Sequence, residues 1–105
     1  MLREIPRLKA EFFKALGHPL RIRALELLSE GERSVSELLA DVEVEQSHLS
    51  QQLGILRRAG LVTARRESSH VVYSLADERV AELLDVSRQI LLDMLTAGSE
   101  ELRRA

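Results

Sequence analysis

The sequence predicts a mainly α-helical domain with one β-hairpin, in the order helix-helix-helix-helix-strand-strand-helix. Apolar residues recur at helical spacing in five segments. Four of these segments are followed by a glycine of the kind that ends helices: Gly17, Gly31, Gly60 and Gly98. After Gly60 the apolar spacing changes from helical to alternating, which is typical of strands. With 105 residues the chain has the length of one domain, and we expect residues 1–105 to form a single domain.

The first two helices are each indicated by an apolar stripe. The first helix spans about residues 2–16, and its stripe consists of Ile5, Leu8, Phe12 and Ala15. The second helix begins at Pro19, because proline is a favoured first residue of a helix. We expect its buried stripe to consist of Ile22, Ala24, Leu25 and Leu28.

The third and fourth helices are indicated by a cap and by a leucine stripe. Ser34 and Glu37 have the Ser-x-x-Glu spacing of a capping box, which predicts a short third helix that ends near Asp41. The fourth helix spans about residues 46–59. We expect its core face to consist of Leu49, Leu53 and Leu56.

A hairpin and a long helix complete the chain. Residues 61–66 and 71–75 are predicted to pair as strands around a polar turn over residues 67–70. The last helix opens near Asp77, a favoured N-cap residue, and ends near Ala97, with Ser99 capping one further turn. Its apolar stripe, interrupted only by Ser87, consists of Val80, Leu83, Leu84, Leu91 and Met94. This order of elements is that of a winged helix-turn-helix domain, in which the hairpin is the wing.

The fourth helix has the two opposed faces that a DNA-recognition helix requires. Opposite its leucines lie Ser47, Gln51, Gly54 and Arg58, flanked by Gln46, His48, Ser50 and Gln52. Glutamine can pair with adenine through two hydrogen bonds, serine can bond most bases, and the arginines of the helix and hairpin suit phosphates. The predicted DNA contacts are Gln46, Ser47, His48, Ser50, Gln51, Arg57, Arg58, Arg65, Arg66 and His70. A solvated amphipathic helix is the alternative, which the arginines of the hairpin disfavour.

Positive charge is concentrated in the middle of the chain. The formal net charge is −2, but residues 46–73 hold four arginines and one glutamate, whereas residues 77–105 hold seven acidic residues and four arginines. This asymmetry favours contact between the middle segment and a polyanion, with ordinary surface charge as the alternative.

Three segments resemble the ArsR/SmtB family of bacterial repressors. Residues 46–62 (QSHLSQQLGILRRAGLV) resemble the central motif of that family. Residues 15–21 (ALGHPLR) are similar to its entry to the second helix, and residues 73–75 (YSL) to the usual end of its second strand. The resemblance covers about residues 10–95, and the three segments occur in the family's order.

The resemblance implies a homodimer that binds a palindromic operator near its own promoter, represses transcription and is released by an inducer. It places the dimer interface on the first and last helices. The residues expected at this interface are Leu8, Phe12, Leu84, Leu91 and Met94. Reasoning from the residues leaves open whether both apolar stripes instead cover the chain's own core.

The residues do not support the metal sites of the family. In place of its cysteine site, residues 37–41 read ELLAD, without a thiolate. The four positions of its last-helix site hold Asp77, Arg79, Ile90 and Asp93, and neither arginine nor isoleucine can ligate a metal. His18 suits a capping or packing role, and His48 and His70 suit DNA contact or exposure. We therefore predict no metal and no cofactor.

The composition excludes several other classes of protein. The chain has no cysteine, which rules out a disulfide framework and a thiol switch. No phosphate loop or nucleophile–base spacing is visible, so an enzyme is not expected. No segment has the length and hydrophobicity of a membrane span, and we expect a cytoplasmic protein with no membrane partner.

Two questions of function stay open at this level. A protein-interaction module that works with a partner protein, with a non-standard nickel or zinc site, is the alternative to a DNA-binding regulator. Whether a partner protein or a small-molecule inducer acts on the chain is also undecided by its residues.

Overall fold

The computed structural model describes residues 2–104, and it confirms a mainly α-helical fold with a β-hairpin wing. The helices are α1 (Ile5–Leu16), α2 (Pro19–Ser29), α3 (Val35–Leu39), α4 (Gln46–Arg58) and α5 (Arg79–Arg104), and a 3-10 turn over Leu2–Glu4 precedes α1. The strands are β1 (Arg33–Ser34), β2 (Val62–Glu67) and β3 (His70–Leu75). The wing is the hairpin formed by β2 and β3.

Two side chains set the starts of α2 and α3. The Leu20 amide donates to Nδ1 of His18 at 3.1 Å, so this histidine has the capping role that its position suggests. The Glu37 amide donates to Oγ of Ser34 at 3.2 Å, and the Ser34 amide donates to Oε1 of Glu37 at 2.9 Å. This reciprocal pair confirms the predicted capping box.

The sheet has three antiparallel strands, with β3 in the centre. The hairpin pairs Val62 with Leu75 and Glu67 with His70 around a turn at residues 68 and 69. On its other edge β3 pairs with β1, where Arg33 faces Tyr73. The sequence pattern predicted only the hairpin. Two residues are too few to show the alternation of a strand, so the sequence does not reveal β1. The strand forms because the chain after α2 lies beside β3.

The core is built mainly from leucines of α2, α3 and α4. Fully buried positions in this core are Leu25, Leu38, Leu49, Leu53 and Leu56. The three leucines predicted for the core face of α4 are therefore confirmed. Leu27 is also buried, although it lies outside the predicted stripe of α2. This packing fixes α4 against α2 and α3 and turns its opposite face outward.

The last helix is longer than predicted. It continues through Gly98 and Ser99 to Arg104, so the prediction that Gly98 ends the helix and that Ser99 caps a new turn is wrong. A glycine inside a helix costs only about 1 kcal/mol relative to alanine, and the good helix formers on both sides outweigh it. None of the helices in residues 2–104 combines the length and hydrophobicity that crossing a bilayer requires.

Candidate nucleic-acid interface

One face of α4 is buried and the opposite face is exposed and polar. Because successive residues of a helix are about 100° apart, the buried leucines leave Ser47, Gln51 and Arg58 pointing away from the core. All the residues predicted to contact DNA are exposed in the structure: Gln46, Ser47, His48, Ser50, Gln51, Arg57, Arg58, Arg65, Arg66 and His70. This face of α4 is therefore accessible to a ligand as large as a DNA duplex.

Gln52 does not belong to this exposed face. The sequence analysis placed it on a flank of the polar surface, but only 7% of it is exposed, and its Oε1 atom has no hydrogen-bond partner in residues 2–104. Gln52 lies three residues after Leu49 and four before Leu56, which is the spacing of the core face. That spacing was the signal that should have assigned Gln52 to the interior.

Gly54 makes room for Arg58 on the polar face of α4. A Cβ atom placed on Gly54 would lie 3.3 Å from Nη1 of Arg58. The guanidinium therefore lies along the helix surface, over the preceding turn. Neither Arg57 nor Arg58 forms an ion pair within the described part of the chain. Both charges stay available at the end of α4 that leads into the wing.

The tip of the wing lies close to the start of α4. Gln46 at the first position of α4 and His70 at the tip of the wing line the same cleft, whose volume is about 240 Å³. These two residues are distant in the sequence, and the sheet brings them together. The start of α4 and the tip of the wing therefore border one cleft on the candidate surface.

The two wing arginines differ in their surroundings. Arg65 and Arg66 are neighbours on β2, so their side chains point to opposite faces of the sheet. Arg65 forms ion pairs with Glu32 at 2.6 Å and with Glu67 at 2.7 Å. Arg66 forms no ion pair or side-chain hydrogen bond with any residue in the range 2–104. Of these two arginines, Arg66 is the one whose charge has no carboxylate partner within residues 2–104.

A second surface is apolar and lies on α1 and α5. Leu8 is 53% exposed, Leu91 57% and Met94 63%, whereas Phe12 and Leu84 are half-buried. Only the C-terminal end of α1 and the first turns of α5 pack into the core. Further large apolar side chains are exposed on the same two helices: Ile5, Phe13, Val86, Ile90, Leu92, Leu95 and Leu102. The chain's own core therefore does not account for these stripes.

The region of the family's last-helix metal site is occupied by an ion pair. Asp77 accepts from the Arg79 amide at 2.9 Å and from Nη2 of the same arginine at 2.7 Å. These hydrogen bonds lower the pKa of Asp77 to about 2. Among residues 2–104, no three His, Cys, Asp or Glu side chains are grouped so as to hold a metal ion. Asp77 instead lies two residues before α5, and its carboxylate accepts the amide of Arg79, the first residue of that helix.

Comparison with known proteins identifies the family. Residues 18–64 match the model of the bacterial regulatory protein, arsR family. An HTH-type transcriptional regulator of Mycobacterium tuberculosis, Rv0081, is 57% identical over 101 residues, which are 92% of this chain and 89% of that protein. The biofilm growth-associated repressor of Agrobacterium fabrum is 45% identical over 76 residues, which are 72% of this chain and 65% of that protein.

Solved structures agree with the sequence comparison. The crystal structure of Rv0081 superimposes with a TM-score of 0.84 at 56% identity and covers 90% of this chain and 96% of that one. A homodimeric winged helix-turn-helix DNA-binding domain from Mycobacterium bovis, a possible ArsR-family regulator solved by NMR, gives a TM-score of 0.79 at 31% identity. It covers 89% of this chain and 86% of that one. The chain belongs to the ArsR family of bacterial regulatory proteins and is a DNA-binding transcriptional regulator, not an enzyme.

Proposed function

We propose that the chain is a homodimeric repressor that inserts α4 into the major groove of a palindromic operator. One observation carries this proposal: the exposed face of α4 is polar and starts beside the tip of the wing, while its opposite face is locked into the core. The relatives named as repressors support the direction of regulation. They favour the regulator over the alternative of a protein-interaction module.

The exposed residues divide by chemistry into base-reading and phosphate-binding groups. Amide, hydroxyl and imidazole groups can bond base edges in the major groove, which suits Gln46, Ser47, His48, Ser50 and Gln51. Exposed cations at the end of α4 and on the wing suit phosphates. These are Arg57, Arg58 and Arg66, with His70 at the wing tip. Arg65 was predicted with them, but its guanidinium is already paired with Glu32 and Glu67.

The exposed apolar stripes of α1 and α5 are proposed as the dimer interface. A second copy of the chain would cover Leu8 and Phe12 of α1 together with Leu84, Leu91 and Met94 of α5. The similarity to the homodimeric M. bovis domain supports a homodimer, and the exposure of these side chains supports the choice of surface. Two-fold pairing would place the two recognition helices about 34–36 Å apart, which is one turn of DNA.

We propose that the signal is a small molecule other than a metal ion, or a partner protein. Two of the four positions of the family's last-helix site hold Arg79 and Ile90, which cannot ligate a metal ion, and residues 37–41 supply no thiolate. The cytoplasm is the proposed location, because that is where a bacterial regulator meets the chromosome.

Fluorescence anisotropy tests the proposal directly. The chain is titrated onto a duplex from the region upstream of its own gene, and onto a shuffled duplex of equal length and composition at the same salt concentration. A specific regulator is expected to prefer its operator by at least about 10³-fold. Equal affinity for the two duplexes would contradict operator recognition. A third duplex carries the same operator with its half-sites moved apart by five base pairs, which is half a turn of DNA. This change should abolish the preference if the dimer is two-fold symmetric.

A further inference from the structure

A chain of polar contacts crosses one face of the three-stranded sheet. Arg65 of β2 donates to both carboxylate oxygens of Glu32, from Nη1 at 2.6 Å and from Nη2 at 2.8 Å. Ser74 of β3, the strand in between, donates to the same carboxylate at 3.3 Å. Nη2 of Arg65 also donates to Glu67 at 2.7 Å. These bonds connect both strands of the wing to the segment that leads into β1.

Glu32 is itself anchored to the helical body. The next residue, Arg33, donates from Nε to the Leu27 carbonyl at 3.1 Å and from Nη2 to Glu30 at 2.9 Å. Arg33 also pairs with β3, and the residue after it, Ser34, caps α3. Because α2 packs directly against α4, Glu32 has a fixed position relative to the recognition helix.

The same contacts make Arg65 a poor ligand for a phosphate. Its guanidinium already serves two carboxylates, so an approaching phosphate would meet one cation between two anions. The hydrogen bond between them lowers the pKa of Glu32 and raises that of Arg65, which keeps both groups charged. Arg66, on the opposite face of the sheet, has no such partner within residues 2–104.

We propose that Arg65 and Glu32 form a latch that holds the wing at a fixed angle to the recognition helix. Arg65 is then a positioning residue that does not contact DNA, and Arg66 supplies the phosphate contact of the wing. This inference rests on the proposed DNA-binding function. It revises the expectation that both neighbouring arginines contact phosphates.

Neutral substitutions of the two adjacent arginines make a matched pair. Arg66→Gln should lower the slope of log affinity against log salt concentration by about 1.8, the value for two lost phosphate contacts, because each wing of the dimer loses one. Arg65→Gln should leave that slope unchanged, while weakening operator binding by about threefold to tenfold through a misplaced wing. An equal fall in slope for both variants would overturn the latch.

Exchanging the charges separates positioning from contact. Arg65→Glu and Glu32→Arg each place like charges together and should weaken operator binding. The double variant restores an opposite pair and should recover affinity to within about threefold of the unaltered chain. If Arg65 instead contacts a phosphate, the double variant will bind as weakly as Arg65→Glu alone.

Hydrogen exchange in the absence of DNA decides the latch even if the proposed function fails. Each single charge variant should lose protection of the amides in residues 62–75, and the double variant should regain it. Equal protection in all four chains would overturn the inference. If the chain shows no operator preference but its variants lose and regain amide protection in this way, the latch stands and the proposed repressor function is wrong.

Discussion

The imidazole of His18 caps α2 and meets the imidazole of His48 edge to face, with ring centroids 6.2 Å apart. His48 lies on the flank of α4, so this contact joins the start of one helix to the recognition helix. Nδ1 of His18 accepts the Leu20 amide. His18 therefore connects the start of α2 to a residue that is proposed to contact DNA.

Removing the cap should destabilise the chain. We expect His18→Ala to lower the free energy of unfolding by about 1 kcal/mol, because the Leu20 amide loses its acceptor. His18→Asn should retain most of this energy, since asparagine is an effective N-cap residue. Urea denaturation measures both. An equal loss in the two variants would show that packing against His48, and not capping, is what His18 contributes.

Base reading and phosphate binding should separate in two substitutions. Gln51→Ala is expected to weaken operator binding by about 1–3 kcal/mol and to leave binding of a shuffled duplex almost unchanged. Arg66→Ala should weaken both duplexes about equally. Anisotropy titrations on the two duplexes check this. If Gln51→Ala affects both duplexes alike, Gln51 does not read a base.

Replacing Gly54 with alanine should stabilise the fold and weaken DNA binding. Gly54→Ala is expected to raise the free energy of unfolding by about 0.5–1 kcal/mol, because alanine favours a helix and the atom it meets is the flexible end of Arg58. The same Cβ atom should displace the Arg58 guanidinium and weaken DNA binding. In an Arg58→Ala background the substitution should have little further effect on affinity. Additive losses would mean that the methyl group meets the DNA itself.

The apolar stripe of α5 should be sensitive to charge. Leu91→Glu is expected to cost the dimer at least about 2 kcal/mol, or about 30-fold in its dissociation constant, because a carboxylate would enter an apolar seam. Thr96→Glu is the matched control, since Thr96 lies on the opposite side of the same helix. Analytical ultracentrifugation measures the dissociation constant of the dimer for both variants. If neither variant dissociates, this stripe does not form the dimer interface.

The ion pair at the start of α5 should persist in mild acid. Hydrogen bonds from Arg79 lower the pKa of Asp77 from its ordinary 3.8 to about 2. A lowered carboxyl pKa stabilises the folded state above the unfolded pKa, and this stabilisation is lost as the pH falls through the folded value. The stability difference between the chain and Asp77→Asn should stay constant down to about pH 4.5 and shrink between pH 4 and 2. The Asp77 carboxyl shift in NMR titrations reports the pKa independently.

Several features of the fold and the site were readable from local sequence. The leucine spacing of α4 predicted its buried face, and Ser34 with Glu37 predicted the start of α3. The polar residues opposite the leucines are exposed, as that spacing predicts. These features depend on residues within one or two helical turns of each other, so periodicity and capping chemistry are sufficient to find them.

The sequence by itself determined the order of the five helices and the hairpin, the face of α4 that is exposed, and the family. The tertiary structure decided which of the exposed charges are free. Glu32 and Arg65 lie far apart in the chain and meet only because β3 carries one strand on each side. Local sequence patterns predict whether a residue lies on the surface. Which residue it contacts there depends on how distant segments of the chain pack together.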